Sequence, residues 1–295
     1  MPSLQALAQK LALQAEGKRS AKEECRLLQT LDLAHLEQNA HAQVFMPDEG
    51  TALLMRALTD DEAVLHELRP TICIDIGCGA GAEAIHLTRC LPPNSAAIMA
   101  SDINFEALIA TRATAAANKC SEPHLLCSSL LSGLRPGTVD LVLWHCPYVP
   151  TSAKQMNDAV ERGDLSCSYA GGPNGTAMLA ETLPMLKEVL SPKGLMYLVV
   201  CRGANKRAKV ADGSCLSLWV NDDFLHCGIV ADESATAETA TSHLCILRCR
   251  VADEVEMAAM KATPKAPSPS AGNDALDVTD VAPASPALEH EEEVD

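Results

Sequence analysis

Apolar residues in this chain of 295 residues recur in two patterns, one typical of buried strands and one typical of helices. From residue 71 onward, short apolar runs bounded by glycine or polar residues alternate with longer segments at helical spacing. Alternation of this kind predicts a parallel sheet with helices on both faces. The predicted strands cover residues 72–75, 96–101, 124–128, 141–144, 195–201, 224–230 and 243–251, and the predicted helices cover residues 83–89, 105–119 and 176–190.

The last two predicted strands follow one another without a clear helical segment between them, which is typical of an antiparallel hairpin. We therefore expect an α/β fold with a doubly wound, Rossmann-like sheet of seven strands, mostly parallel, in which the last strand is antiparallel. Open sheets of this kind bind ligands at the carboxyl ends of their strands. Residues 77–81, Asp102, residues 128–131 and the segment after Trp144 should therefore share one crevice.

Two segments flank the predicted sheet domain of residues 43–252. Residues 1–42 carry leucines at helical spacing, interrupted near Gly17, and predict a helical N-terminal extension. Residues 253–295 consist largely of alanine, proline, serine and acidic residues, a composition that buries too little apolar surface to offset ordering entropy. We expect a disordered tail there, with any helix limited to residues 254–261.

The formal net charge of −16 is concentrated in this tail. From Asp253 onward, eleven acidic and two basic residues give −9, which leaves −7 for the rest of the chain. A mildly acidic body lacks the positive field on which binding to a nucleic-acid backbone relies. The composition, with 47% hydrophobic and 21% charged residues, is ordinary for a soluble enzyme. Charge therefore argues against nucleic acid as the main substrate.

Cysteine spacing indicates whether the chain has a metal site, and hydropathy indicates whether it has a membrane span or a secretory signal. The thirteen cysteines include no C-x-x-C pair, so we expect no metal site. No apolar run approaches the roughly 20 residues that a membrane span requires. The N-terminus also lacks the continuous apolar stretch of a secretory signal. We therefore expect a protein of the cytoplasm, with the nucleus as a second location.

The most informative motif is the D-x-G-x-G-x-G turn after the first strand, formed by Asp75, Gly77, Gly79 and Gly81. Glycine lets the backbone turn sharply and lets a ligand lie against the main chain. A dinucleotide fingerprint has the different spacing G-x-G-x-x-G, and Asp75 would repel a phosphate. A ligand with a ribose and a cationic amino group but no phosphate fits better, which describes S-adenosylmethionine.

Asp102, at the end of the next predicted strand, supports this cofactor because a carboxylate there can accept hydrogen bonds from ribose hydroxyls. The alternative is a plain glycine-rich turn with Asp102 as an ordinary helix cap.

Residues 145–150, His-Cys-Pro-Tyr-Val-Pro, resemble the N-P-P-Y loop of the HemK-like glutamine methyltransferases that modify translation release factors. Residues 44–51 resemble the V-Y-x-P-x-E-D-[ST] stretch of the eukaryotic and archaeal branch, with Phe45 and Gly50 as departures. Residues 101–108 resemble T-D-I-N-P-x-A-L, and residues 170–175 resemble A-G-G-x-x-G. The likeness spans about residues 44–205.

This resemblance implies a class I S-adenosylmethionine-dependent methyltransferase that transfers a methyl group to the side-chain amide nitrogen of a glutamine in a protein, a release factor. An amide nitrogen is a poor nucleophile, so the site must hold it in line with the methyl group and polarise it by accepting hydrogen bonds. For the cofactor, the resemblance implies Asp75, Gly77, Gly79 and Gly81 at the methionine end, Asp102 on the ribose and Ser129 near the adenine. For the acceptor amide, it implies His145, Cys146, Pro147 and Tyr148. His145 would contact both the cofactor and the acceptor.

Three of these positions depart from the family pattern. His145 stands at the asparagine position, Cys146 at the first proline and Ser129 at a usually acidic position. Neutral imidazole can present one acceptor nitrogen, whereas protonated imidazole offers only donors and would repel a cationic methyl donor. A strand-capping role for His145, and either nucleophilic chemistry or an inert thiol for Cys146, stay open as alternatives.

Three hypotheses for function follow. The first is the glutamine methyltransferase, the second is a regulator or binding subunit that keeps the fold without turnover, and the third is an amino-methyltransferase acting on adenine N6. The resemblance also implies a heterodimer with a small zinc-binding activator subunit that adds a strand to the sheet edge. The apolar residues Leu125, Leu126 and Cys127 fit such an edge.

Overall fold

A computed structural model describes residues 26–37, 41–201, 225–232 and 244–251. Strands in these ranges form one sheet in the order β3-β2-β1-β4-β5-β7-β6. Strand β7 is antiparallel to both of its neighbours, and the other pairs are parallel. The predicted fold class is confirmed. The strands are β1 (Ile72–Ile76), β2 (Ala97–Asp102), β3 (His124–Cys127), β4 (Val139–Trp144), β5 (Leu190–Cys201), β6 (Leu225–Asp232) and β7 (Leu244–Val251).

The helices in the described ranges connect these strands and precede the first one. They are α1 (Glu49–Asp60), α2 (Glu62–Leu68), α3 (Ala82–Cys90), α4 (Phe105–Ala117), α5 (Ala153–Arg162) and α6 (Ala177–Val189). Helices α3, α4 and α6 lie within two residues of their predicted bounds, whereas the sequence analysis did not predict α1, α2 or α5. Short 3₁₀ helices occur at Ala34–Glu37, Leu165–Ser168 and Pro173–Gly175.

Strand β5 begins five residues before its predicted start, and the reason lies in its pairing with β4. Val139 pairs with Leu190, but Leu141 pairs with Leu195, so the register shifts within the first part of the strand. The segment at this shift contains Pro192 and Gly194, residue types typical of a loop. An irregular strand of this kind carries no period-two pattern.

Apolar side chains cover both faces of the sheet, and β4 contributes to both layers. Leu141 and Leu143 pack in the cluster that includes residues of α1, α2 and α3, while Val142 and Trp144 pack in the cluster that includes residues of α6. All four are buried, as expected for a central strand with helices on either side. This two-sided burial fixes the carboxyl end of β4, where residue 145 begins the next loop.

The flanking segments are described only in part. Residues 1–25 and 252–295, which hold most of the predicted helical extension, the predicted tail and the helix expected at residues 254–261, lie outside the described residues. None of the described helices is both long enough and apolar enough to cross a bilayer. Within the same ranges, no group of three potential metal-binding side chains is found.

Candidate active site

A cavity of about 190 Å³ opens where β1, β2 and β4 end. Gly77, Gly79, Asp102, Ser129 and His145 all line it. Parallel pairing of β1 with both neighbours sets the three strand ends side by side, which is the usual ligand position in an open α/β sheet. Pro147 also lines the cavity, whereas Asp75, Gly81, Cys146 and Tyr148 are not among its lining residues.

The glycines of the turn adopt left-handed backbone angles, with φ of 65° at Gly77 and 79° at Gly81. L-residues with side chains rarely adopt these angles. A Cβ atom at Gly77 would meet no protein atom within 4 Å, so this side of the turn is open to a ligand. A Cβ atom at Gly81 would lie 2.7 Å from Thr111, so that glycine permits the close packing of α4.

Side chains from two directions hold the backbone of the turn. The Thr111 hydroxyl donates to the Gly79 carbonyl at 3.1 Å, and the Thr114 hydroxyl donates to the Ala80 carbonyl at 2.7 Å. From β2, Asp102 Oδ2 accepts a hydrogen bond from the Gly79 amide at 3.0 Å. The predicted ribose ligand Asp102 therefore also positions the glycine turn.

Asp75 lies beneath the turn rather than in the cavity wall. It is 2% exposed, and its Oδ2 accepts a hydrogen bond from the Ala84 amide at 3.2 Å. Burial, followed by the nearby Glu83 carboxylate, raises the pKa of Asp75 well above its usual value. Asp75 thus ties the end of β1 to the start of α3, and any effect it has on a ligand passes through the turn above it.

The cavity is acidic. Glu83, Asp102, Asp164 and Glu181 line it, and its described lining includes no lysine or arginine. A concave surface with charges of one sign attracts ligands of the opposite sign and repels those of the same sign. The residues fit S-adenosylmethionine, which carries a sulfonium and an ammonium group and no phosphate, and they do not fit a dinucleotide.

The loop after β4 is supported by the segment that resembles A-G-G-x-x-G. The Val149 amide donates to the Tyr169 carbonyl and the Gly171 amide donates to the Val149 carbonyl, both at 2.9 Å. A Cβ atom at Gly171 would lie 2.8 Å from the Pro147 carbonyl oxygen. Only glycine allows this approach, so the two motifs form one structural unit.

The His145 ring lies between two aromatic rings at the start of this loop. Tyr148 stacks on it with the ring centroids 5.9 Å apart and the planes at 18°, and Phe45 meets it edge-on at 5.8 Å. Nδ1 of His145 lies 3.7 Å from Oε1 of Glu83. Among the described residues, no hydrogen bond to either ring nitrogen is formed. His145 lines the cavity, and Tyr148 acts on the site by packing against it.

Cys146 points away from the cavity. It is 2% exposed, and its Sγ donates to the Val199 carbonyl at 3.5 Å. Burial raises the pKa of the Cys146 thiol to about 12. A protonated, buried thiol is a poor nucleophile, so of the two roles considered for Cys146 the inert one agrees with its surroundings.

Glu83, like Asp164 and Glu181, lines the cavity and was not predicted from the sequence. It occupies the first turn of α3 and is buried at 5% exposure. A glutamate near the start of a helix is common because of the helix dipole, so the sequence gives no signal of another role. Its proximity to His145 arises only because β1 and β4 are neighbours in the sheet.

Comparisons with known proteins agree with this geometry. Residues 37–162 match the Methyltransferase small domain family. Methyltransferase HEMK2 of Mus musculus is 36% identical over 177 residues, covering 58% of this chain and 78% of that protein. The eRF1 methyltransferase catalytic subunit mtq2 of Schizosaccharomyces pombe is 29% identical, covering 59% and 79%. The release factor glutamine methyltransferase of Moorella thermoacetica is 31% identical, covering 57% and 58%. The chain therefore belongs to the HemK-like family of class I S-adenosylmethionine-dependent methyltransferases.

Proposed function

We propose that this chain transfers a methyl group from S-adenosylmethionine to the side-chain amide nitrogen of a glutamine in a translation release factor. The observation that carries the proposal is the single acidic cavity that joins the glycine turn and Asp102 to the loop of His145 and Pro147. The relatives from Schizosaccharomyces pombe and Moorella thermoacetica, which are named for release-factor methylation, support the same substrate.

Asp102, Gly77, Gly79 and Ser129 would hold the cofactor in this cavity. S-adenosylmethionine supplies an electrophilic methyl group on a sulfonium. The carboxylates of the cavity wall stabilise positive charge there, and the left-handed glycines leave the main chain open to close contact. The exposed hydroxyl of Ser129 can accept a hydrogen bond from an adenine amino group.

The loop at residues 145–150 would hold the acceptor amide. Attack by an amide nitrogen requires contact distance and alignment more than a strong base, and a fixed pocket supplies both. The loop is rigid because β4 fixes its start and Tyr169 and Gly171 bond its middle. Neutral His145 offers one acceptor nitrogen to the amide N–H groups, and the stacked Tyr148 holds its ring.

Incubation of the chain with S-adenosylmethionine labelled in the methyl group, a release factor and the activator subunit tests this proposal. We expect the label on one glutamine side chain by mass spectrometry, and no label when that glutamine is replaced by asparagine. An Asp102→Ala chain is the negative control, because it lacks the predicted ribose contact. Label in nucleic acid would support the adenine-methylating alternative instead. Cofactor binding without transfer to any acceptor would support the regulator.

A small zinc-binding activator subunit is part of the proposal. Strand β3 is an outer strand of the described sheet, and its Leu125 and Leu126 are partly exposed. On the neighbouring helix α4, Phe105 is 62% and Ile109 is 40% exposed. An open edge beside exposed apolar side chains suits the addition of a partner strand. The name of the Schizosaccharomyces pombe relative, a catalytic subunit, also agrees with a heterodimer. We place the complex in the cytoplasm or nucleus.

A further inference from the structure

Glu83 and His145 form a buried acid–imidazole pair in the wall of the cavity. Their side chains are 7% and 12% exposed, and Oε1 of Glu83 lies 3.7 Å from Nδ1 of His145. This distance is too long for a hydrogen bond, but it is short enough for the carboxylate to interact electrostatically with the ring. Neither the glycine turn nor the acceptor loop requires a carboxylate at residue 83.

The opposite edge of the imidazole ring faces Gly50, at the start of α1. A Cβ atom at Gly50 would lie 2.6 Å from Cε1 and 2.7 Å from Nε2 of His145. Any other residue at this position would therefore collide with the ring edge that bears Nε2. Gly50 and His145 are both departures from the family motifs, and the structure brings them into contact with each other.

The groups around the ring leave it few alternative orientations. Phe45 contacts it edge-on and Tyr148 stacks on its face. The charged groups nearby are Glu83 from α3, Asp75 from β1 behind Glu83, and Asp48, which caps α1 beside Gly50. Carboxylates of Asp102, Asp164 and Glu181 lie elsewhere on the cavity wall. Of these groups, only Glu83 is within ion-pair distance of the ring.

We propose that Glu83 is a positioning residue. By favouring one tautomer of His145, it enables His145 to accept the proton that the methyl transfer releases. The carboxylate facing Nδ1 favours the tautomer with the proton on Nδ1, which leaves the lone pair on Nε2. Because Gly50 has no Cβ atom, no side chain at residue 50 collides with the Nε2 edge. The inference rests on the proposed function, since it concerns the proton that leaves the acceptor nitrogen.

The proton balance of the reaction requires such an acceptor. The nitrogen lone pair forms the new N–C bond as the C–S bond breaks, and sulfur keeps the bonding electrons. The nitrogen then carries one proton more than the neutral methylamide product. His145 Nε2 accepts this proton, the Glu83 carboxylate stabilises the imidazolium, and the proton later passes to solvent. An asparagine at residue 145 accepts a hydrogen bond but cannot take up the proton.

A double-mutant cycle between Glu83→Gln and His145→Asn tests the pair. Glu83→Gln should lower kcat roughly tenfold in the chain with His145, since a general base contributes about 10²–10⁴-fold and its orientation accounts for part of this. In the His145→Asn chain, the same change should have no further effect. An equal loss in both backgrounds would overturn the proposal, because Glu83 would then act on the cofactor or the fold. Exposed Glu67→Gln is the matched control.

Nitrogen NMR of His145 in the unliganded complex supplies a test that needs no turnover. We expect the neutral ring to carry its proton on Nδ1, and Glu83→Met, which removes the carboxylate while keeping an unbranched side chain, to abolish this preference. An Nε2-protonated ring in the unaltered chain would contradict the pair. Failure of methyl transfer to a release factor would contradict the proposed function and leave the spectrum unchanged, so the two failures are distinguishable.

Discussion

His145 requires more space than an asparagine, and Gly50 provides it. The ring edge formed by Cε1 and Nε2 occupies the position that a side chain at residue 50 would fill. The two departures from the family motifs are therefore one change in steric terms. Phe45, another departure near this loop, meets the same ring edge-on. These three altered residues lie around a single imidazole, whereas Cys146 points away from the cavity and Ser129 lines another part of it.

Gly50→Ala should lower kcat roughly 10–100-fold, because displacement of a reacting group by about 1 Å has an effect of this size. The backbone tolerates alanine, since Gly50 lies in a helix. Affinity for S-adenosylmethionine, measured by calorimetry, should stay within about twofold. In the His145→Asn chain, the same replacement should have little effect on kcat. A comparable loss in that chain would show that the methyl group disturbs something other than the imidazole.

At the residue scale, sequence motifs located one part of the cavity lining. The glycine turn, Asp102 and Ser129 lie there because the carboxyl ends of parallel strands meet at one edge. Glu83 could not be predicted, since a glutamate in a first helical turn has an ordinary explanation and its partner lies on another strand. Nor could the burial of Asp75, because the motif shows a carboxylate but not which way it points.

Among the elements, α4 supports the glycine turn through side-chain hydrogen bonds. Thr111 and Thr114 lie one turn apart on this helix and donate to two successive carbonyls of the turn. Gly81 has no Cβ atom, and a Cβ atom there would collide with Thr111 of α4 and push this helix away from the turn. The conformation of the cofactor turn therefore depends on the docking of α4, which also presents Phe105 and Ile109 at the surface.

Thr111→Val should destabilise the fold by about 1–2 kcal/mol, because it keeps the shape of the side chain but leaves the buried Gly79 carbonyl without this hydrogen bond. Urea unfolding monitored by circular dichroism measures the change, and cofactor affinity should fall with it. Thr138→Val is the matched control, since that hydroxyl bonds the Arg135 carbonyl in an exposed turn. Equal effects of the two replacements would contradict the role of α4.

Helices α1 and α3 meet at a buried histidine. His86 Nε2 and the Thr59 hydroxyl are 2.9 Å apart, and the buried Nδ1 has no hydrogen-bond partner among the described residues. Burial lowers the pKa of His86 to about 4. Below about pH 6.5, the unfolded chain binds a proton at this ring that the folded chain rejects. Above that pH, protonation of this ring does not affect the free energy of unfolding. As the pH falls from about 6.5 towards 4, the free energy of unfolding decreases.

Between pH 7.5 and pH 5, this histidine should lower the free energy of unfolding by about 2 kcal/mol. His86→Gln should remove that part of the pH dependence. Urea denaturation curves at the two pH values measure it, and exposed His124→Gln serves as the control. A pH dependence that is the same in His86→Gln and the unaltered chain would contradict the assignment.

The elements that the sequence analysis missed have physical explanations. In α1, eight of twelve residues are buried, so the polar side of the helix is narrow. Helix α5 is largely polar, with only Met156 and Ala159 buried. Its start did carry a signal, because Ser152 and Gln155 form a capping box and Gly163 ends the helix in a left-handed conformation. Met156, Ala159 and Val160 also recur at helical spacing, so capping residues and periodicity both indicate α5.

For the whole molecule, sheet order and charge together define what the cavity can bind. The order β3-β2-β1-β4-β5-β7-β6 places the cofactor residues at the ends of β1 and β2 and the acceptor loop at the end of β4. The acidic wall disfavours phosphate groups near the site. Strand alternation predicted the parallel part of this sheet, since each buried strand of the parallel core carries an apolar run long enough to recognise.

Association with the activator should depend on the exposed face beside β3. The double replacement Phe105→Glu and Ile109→Glu should abolish co-purification of the activator, because it places two charges in an apolar contact. Both side chains are exposed, so the chain itself should keep its circular dichroism spectrum. Exposed Ala63→Glu on α2 is the control. Normal association of the double variant would contradict the proposed position of the partner.

Calorimetric titration of the folded chain, together with its partner subunit, tests the central claim of a cofactor cavity most directly. Because the cavity is acidic and Asp102 can accept hydrogen bonds from a ribose, we expect S-adenosylmethionine and its demethylated product each to bind at one site per chain. Under the same conditions, ATP and NAD should give no heat of binding, because their phosphates would face carboxylates. Absence of binding by both sulfur compounds to a chain with folded-state circular dichroism would contradict the account.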